Sequence, residues 1–301
     1  MENKLAIVIP YYKIDFFEET LNSLKQQTDN RYTLYIGNDA SPNDPLPLIE
    51  KYFAEGDYHY FDYKVNLGGK NLALQWERIL ENVTQDWVQI LGDDDLIEKN
   101  FVKEFYQIIE TTKNDEFSII KCGFVWVDDQ MNIIENNVYD FNMISPISLF
   151  IKKYNNEIRS SLSENIYKTK IINKIKFQKI PLAWGSDDLT LLSFSDNKPI
   201  KYLPKKLLNV RVSQKSISGS DENIELKINA YQEFRRITIF KYSKSLPKGF
   251  IKNIITDYLM KAYFKKLSYD YRVIFILLKN FQIISFLKAI KILYYIKCSN
   301  K

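Results

Sequence analysis

A chain of 301 residues, 46% hydrophobic and 15% aromatic with nine glycines and nine prolines, has the apolar content for one large or two small globular domains, which excludes a disordered or repetitive polymer. Cys122 and Cys298 stand far apart in no metal-ligand spacing, and the start MENKLAIVIP lacks a basic segment followed by a long apolar one, so a reducing cytoplasm is the expected compartment. The net charge of +5 is uneven: residues 241–301 carry 13 Lys and Arg against Asp257 and Asp270, a balance of +11 that leaves −6 for residues 1–240.

In chain order, Leu5 to Ile9 reads as a strand buried on both faces and ended by Pro10. Asp15 is placed to cap a helix with Glu18 and Glu19 in its first turn and Phe17, Leu21 and Leu24 on one face. Tyr32 to Ile36 forms a second strand leading to Gly37-Asn38-Asp39, followed by a short helix and a strand near His59 to Tyr63. Asn66-Leu67-Gly68-Gly69 opens a helix whose Leu72, Ala73, Trp76, Ile79, Leu80 and Val83 keep helical spacing. The strand Trp87 to Leu91 delivers Gly92 and the triplet Asp93-Asp94-Asp95, and Phe101 to Ile109 marks the next helix. Alternating short strands and amphipathic helices give an α/β class with a mostly parallel, Rossmann-like central sheet flanked by helices.

Ligands of such sheets bind at the carboxyl ends of the strands. Here those ends carry Tyr11, Asp39, Asn66 with Gly68, and the three aspartates. Each has a structural alternative: a turn or cap for Asp39, backbone freedom for the glycines, a solvated acidic turn for the triplet. Three adjacent carboxylates repel one another, and a hard divalent ion or protonation of one of them relieves this. Lys70 at a helix N-terminus suits a phosphate, without Walker or GxGxxG spacing.

The ordered run Ile7-Val8-Ile9-Pro10-Tyr11-Tyr12, Phe17 with Leu21, Ser23, Leu24, Gln27 and Thr28, Ile36-Gly37-Asn38-Asp39-Ala40-Ser41, Asn66 with Gly68, and Leu91-Gly92-Asp93-Asp94-Asp95 resembles the nucleotide-sugar-binding half of family 2 glycosyltransferases. These are inverting enzymes of GT-A fold. The resemblance implies that Pro10 and Tyr11 flank the nucleotide base and that Asp39 accepts a hydrogen bond from uracil or its equivalent. The family's Asp-x-Asp motif falls on Gly92-Asp93-Asp94, with glycine in the first acid's place. By the same resemblance Asp94, helped by Asp93, is the expected ligand of Mn²⁺ or Mg²⁺; Asp93 also approaches the ribose or donor sugar, and Asp95 the sugar hydroxyls or the groups behind them.

Further along, Asp187-Asp188 in Ala183-Trp184-Gly185-Ser186-Asp187-Asp188-Leu189 resembles the family's Glu-Asp step, whose second acid is the catalytic base. A carboxylate there takes the proton of an acceptor hydroxyl, a poor nucleophile until deprotonated. Read without the family, the pair also suits a plain helix start. Asp188 is thus the expected base and Asp187 its neighbour in the acceptor site. Val210-Arg211-Val212-Ser213-Gln214-Lys215 resembles the segment that folds over the donor diphosphate, with Ser213 where many members have histidine; Arg211 and Lys215 would neutralise the leaving group.

Residues 124–182 show a hairpin around Asp128 to Asn132 and a helix from Ser145-Pro146, and would build the acceptor pocket, with Phe124, Trp126 and Trp184 available for sugar stacking or for core. Two helical stripes mark the tail: Ile251, Ile254, Ile255, Tyr258 and Ala262, then Ile283, Phe286, Leu287, Ile290, Leu293 and Tyr294, each among lysines. No apolar run reaches spanning length, so the tail suits an anionic membrane surface, or a helical bundle packed on the catalytic domain or a second subunit.

The resulting division is a nucleotide-sugar-binding half over 1–120, an acceptor-binding half of the same domain over 121–240, and a basic C-terminal helical extension over 241–301. The expected activity is transfer of a sugar from a UDP-linked donor to a saccharide acceptor, lipid-linked, in surface polysaccharide assembly, by a cytoplasmic protein peripheral on the inner face of the membrane. A nucleotidyltransferase would need a Gly-rich basic loop after the first strand, which Pro10-Tyr11-Tyr12-Lys13 is not. A basic nucleic-acid binder would not carry the acidic rim, so no nucleic acid is expected as partner. A glycoside hydrolase shares paired carboxylates but acts without a nucleotide donor.

Overall fold

A computed structural model describes residues 3–112, 116–213 and 223–299. By packing, the chain forms two compact units, Met1–Lys179 with Asp187–Glu222 and Ile180–Ser186 with Asn223–Lys301. The helical unit therefore takes in a long helix upstream of residue 241.

The first unit is built on β1 (Leu5–Tyr11), α1 (Phe17–Lys25), β2 (Tyr32–Asp39), α2 (Leu46–Tyr52), β3 (Tyr58–Tyr63), α3 (Leu72–Leu80), β4 (Trp87–Ile90), β5 (Leu96–Ile97) and α4 (Phe101–Thr111). It continues through β6 (Ile119–Val127), β7 (Ile133–Asn137), β8 (Met143–Ile144), α5 (Pro146–Tyr154), β9 (Asn165–Lys168), α6 (Thr169–Ile175), α7 (Ser186–Ser193) and β10 (Ile200–Arg211). One sheet runs β3-β2-β1-β4-β9-β6-β10-β5, with β7 beside β6 and β8 beside β10. Pairs β3/β2, β2/β1, β1/β4 and β6/β10 are parallel. β9 runs antiparallel between β4 and β6, so all the parallel strands end on the same rim.

β1 is central because Leu5 to Ile9 have apolar side chains for both faces, and all five are fully buried. Phe17, Leu21 and Leu24 of α1 and Phe101, Val102 and Phe105 of α4 cover one side of it. The predicted cap at Asp15 is not formed: α1 starts from Phe16 without a side-chain cap. Asn71 caps α3 instead, accepting from Ala73 N–H at 3.0 Å. The hairpin predicted at 128–132 joins β6 to β7, with Asp128 accepting from the N–H groups of Gln130 and Asn132. α5 begins at Pro146, whose missing N–H costs nothing at a first helical position.

β6 and β9 share a buried ion pair. Lys121 and Glu164 are almost fully inaccessible and bonded to one another, and Ser160 Oγ accepts from Lys121 Nζ at 2.8 Å. Burial raises the Glu164 carboxyl despite the neighbouring ammonium.

The second unit contains α8 (Ile224–Tyr242), α9 (Lys248–Lys265), α10 (Ile274–Lys279) and α11 (Ile283–Ser299). Gln232 of α8 donates to Tyr258 O of α9 at 3.0 Å. The α9 stripe Ile251, Ile254, Ile255, Tyr258 and Ala262 is the core of this unit, not an outer face.

Candidate active site

At the end of β1, Tyr11 is buried against Phe17, ring centroids 4.6 Å apart, and its hydroxyl donates to Asn43 O at 3.1 Å. Pro10 beside it is half-buried. At the end of β2, Asp39 accepts from the N–H groups of Leu67 and Gly68, each at 2.7 Å, and pairs with Arg78. The Arg78 guanidinium lies 3.8 Å from the Tyr63 ring centroid. Burial raises the Asp39 carboxyl and lowers Arg78, so each ion leans on the other for its charge. A Cβ on Gly68 would stand 2.5 Å from Asp39 Oδ2, which is why only glycine brings this turn so close. Asn66 accepts from Gly69 N–H at 2.5 Å, and Lys70 is exposed on the same turn. Asp39, the residue expected at the base, clamps the turn at 66–70 through these bonds; Arg78, its partner on α3, had no sequence signal beyond being a cation on a helix.

The acidic triplet separates into three environments. Asp93 Oδ2 accepts from the N–H groups of Tyr12 and Lys13 at 2.7 and 2.8 Å, tying the loop to the end of β1. Asp95 is buried: its Oδ2 accepts from Ser163 Oγ at 2.5 Å and its Oδ1 from Arg211 N–H at 2.9 Å. Ser163 Oγ also accepts from Gly92 N–H at 3.1 Å. Asp94 faces a small recess lined by Lys13, Asp15, Phe16 and Ser213. Burial raises all three carboxyls, Asp95 to about 6, and Asp94 is held well above the ordinary carboxylate range by burial and then by Asp95 and Asp93.

Among the described residues no cluster of three or more His, Cys, Asp or Glu side chains gathers to hold a metal ion. The donor set at the recess still fits a hard cation of the Mg²⁺ or Mn²⁺ type, which is held by one or two carboxylates together with substrate phosphates. Asp94 and Asp15 supply oxygens on that wall, whereas Asp93 spends one oxygen on two backbone N–H groups.

Arg211, expected at the leaving group, is turned into the fold. Its side chain is fully buried, donates to Glu19 Oε2 at 2.7 Å and to the carbonyls of Asp94, Asp128 and Asp129, and packs 3.9 Å from the Phe16 ring centroid. With its donors spent on these groups, it locks the acidic loop to β10 and to the β6–β7 turn. Lys215, the other expected cation, lies outside the described residues.

The second acidic pair opens α7, anchored by buried Leu189, Thr190 and Leu191. Thr190 Oγ1 donates to Asp187 O at 2.5 Å and lies 3.0 Å from the Tyr167 hydroxyl on β9. Asp188 Oδ1 has no hydrogen-bond partner; Lys153 Nζ is 3.9 Å away. Burial and then the Asp188 charge push the Asp187 carboxyl up to about 7. Ser163, just before β9, holds Asp95, and Tyr167 within β9 holds the start of α7. The two acid sets are therefore fastened within one short stretch, the turn that enters β9 and β9 itself. Ser163, Glu19 and Lys153 went unseen in the sequence because each acts across a long chain separation.

Of the aromatics considered for sugar stacking, Phe124 is buried core, and Trp126 is half-buried with the Arg159 guanidinium 5.3 Å from its ring centroid. Trp184 belongs to the helical unit, 5.9 Å from Tyr231.

A family model described as glycosyl transferase family 2 matches residues 6–189, more than half of the chain. "Glycosyltransferase GlyA" of Streptococcus pneumoniae serotype 4 is 25% identical over 194 residues, 62% of this chain; the chain spans about a quarter, 24%, of that relative's length. The crystal structure of S. aureus TarS 1–349 in complex with UDP-GlcNAc is similar at a TM-score of 0.60 and 17% identity, covering 91% of this chain and 83% of that one. TarS 1–349 in complex with UDP is similar at 0.57 and 18% identity, covering 97% and 89%. At these identities the likeness is one of fold, and it is the GT-A arrangement expected from the sequence.

Proposed function

The chain belongs to glycosyltransferase family 2, and from that premise we propose that it transfers a sugar from a UDP-linked donor to a saccharide acceptor, lipid-linked, in the assembly of a surface polysaccharide. The observation that carries this reading is the arrangement of acids around β9: Asp93 and Asp95 are bound to the fold, Asp94 faces a recess, and Asp188 keeps an oxygen without a hydrogen bond on a helix held by the same strand. The two TarS complexes, one with UDP-GlcNAc and one with UDP, support a uridine nucleotide as the donor's handle.

In the mechanism, the turn at 66–70 and the end of β1 receive the nucleotide. Asp94, with Asp15 on the same wall, would hold a divalent cation, which when bound supplies positive charge to the donor diphosphate. Asp188 accepts the proton of the acceptor hydroxyl while that oxygen bonds to the anomeric carbon. The bond from this carbon to the diphosphate oxygen breaks on the opposite side, the electron pair leaves with the diphosphate, and the centre inverts. Asp188 suits that role by geometry, since its Oδ1 has no hydrogen-bond partner, while burial and the Asp188 charge push the neighbouring Asp187 carboxyl up to about 7.

The test is a thermal-shift screen of UDP-, GDP- and dTDP-sugars with Mn²⁺ or with a chelator. A UDP-sugar should raise the midpoint only with the metal present, by an amount set by ligand concentration over Kd. No shift with any nucleotide-sugar at millimolar concentration would sink the reading.

A further inference from the structure

Two stripes of identical helical period in the second unit meet opposite fates. That of α9 is buried, whereas on α11 Ile284 is 72%, Tyr294 65%, and Ile283, Leu287 and Ile290 are between 42 and 61% exposed, with Phe281 just before the helix at 85%. At 100° per residue, Ile283, Ile284, Leu287, Ile290 and Tyr294 fall within an arc of about 120°. The opposite side carries Ala289 and Ile296, both buried. So α11 is already packed on its inner side and still presents a broad apolar face outward, larger than isolated surface hydrophobics explain.

The charges around that face select its partner. Lys288 and Lys297 border the arc and Lys291 lies within it, all exposed. From residue 271 to the end the sequence has six Lys or Arg and no Asp or Glu. A second copy docking through a two-fold axis would set these lysines against themselves. No helix of the described residues is long and apolar enough to cross a membrane. An apolar arc edged by lysines whose stems reach outward matches an anionic lipid surface, where the arc enters the headgroup boundary and the ammonium groups meet lipid phosphates.

We propose that the outer face of α11, from Ile283 to Tyr294, docks the protein in the plane of an anionic phospholipid bilayer. This stands apart from the transferase reading, because vesicle binding needs neither donor nor acceptor.

The experiment is flotation of the full chain with vesicles of phosphatidylcholine alone or with 30% phosphatidylglycerol, at low and high salt. Binding should be at least tenfold stronger to the anionic vesicles and fall at high salt. Ile284→Glu with Leu287→Glu should reduce it at least tenfold. Lys288→Gln, Lys291→Gln and Lys297→Gln together should reduce it on the order of a hundredfold, since each basic residue near such a surface is worth about a factor of five. Circular dichroism melting checks that both variants fold, and the lysine variant decides the matter if the glutamates unfold the unit. Equal binding to both vesicle types, or variants that float like the parent, would overturn the proposal. So would sedimentation showing a parent dimer that Ile284→Glu splits, which would make this face an interface between copies.

Discussion

Replacing Ser163 by alanine probes the acidic loop without touching an acid. Its hydroxyl donates to Asp95 at 2.5 Å and accepts from Gly92 N–H at 3.1 Å, at a site that is 2% exposed. Loss of a hydrogen bond to a charged acceptor costs about 1.5–3 kcal/mol, and a stranded N–H adds about 1 kcal/mol, so Ser163→Ala should lose roughly 3 kcal/mol at pH 8. The deficit should depend on pH. Asp95 titrates near 6, above its unfolded value, so it contributes stability at low pH that is lost as pH rises through 6. The Ser163 hydroxyl holds that carboxyl down, and its removal lifts it further, widening the loss on the alkaline side. At pH 5, where Asp95 is mostly protonated, the deficit should shrink to about 2 kcal/mol, the worth of a neutral bond together with the stranded Gly92 N–H. Urea denaturation at pH 5 and pH 8, with unchanged m, measures both values. A deficit below 1 kcal/mol at pH 8, or the same deficit at both pH values, would refute this account of how the loop is held.

Asp188→Asn should retain UDP-sugar binding by calorimetry and lose at least a hundredfold in transfer, since it removes a base without adding bulk; unimpaired transfer would place the base elsewhere. Asp187→Asn should instead stabilise the fold at pH 8 by on the order of 2 kcal/mol, after allowance for screening at a half-buried site, because a carboxyl raised to about 7 loses stability as pH rises through that value; an unchanged denaturation midpoint would show that the raised carboxyl is not Asp187. Lys121→Met should cost about 3–5 kcal/mol by stranding Glu164, and adding Glu164→Leu should restore most of it; a double variant as unstable as the single would mean the pair is more than mutual compensation.

The α/β class and the rim residues were legible because β1, β2 and β4 are short apolar runs that end abruptly in polar residues, and burial on both faces leaves such runs few alternatives. The placement of the triplet was legible too, but not its division of labour. Which aspartate is bound to the fold depends on Ser163, Tyr12, Lys13 and Arg211, up to 116 residues away, and no local pattern announces a partner at that separation. Arg211 was read as a ligand-facing cation for the same reason: its partner Glu19 stands 192 positions earlier. The two tail stripes make the point from the other side. Periodicity established that α9 and α11 each have an apolar face; only packing revealed that one is covered and the other open.

β9 is four residues long and runs against both its neighbours, yet it and the turn that enters it fasten both acid sets. Because strand side chains alternate with a period of two, sliding this segment by a single residue would swap the sides on which its neighbours lie and unhook Ser163 and Tyr167 at one stroke. Insertions or deletions between α5 and β9 are thus tolerable only where the loop absorbs them wholly, and a chain that lost this alignment would misplace the proposed cation site and the proposed base together rather than one at a time.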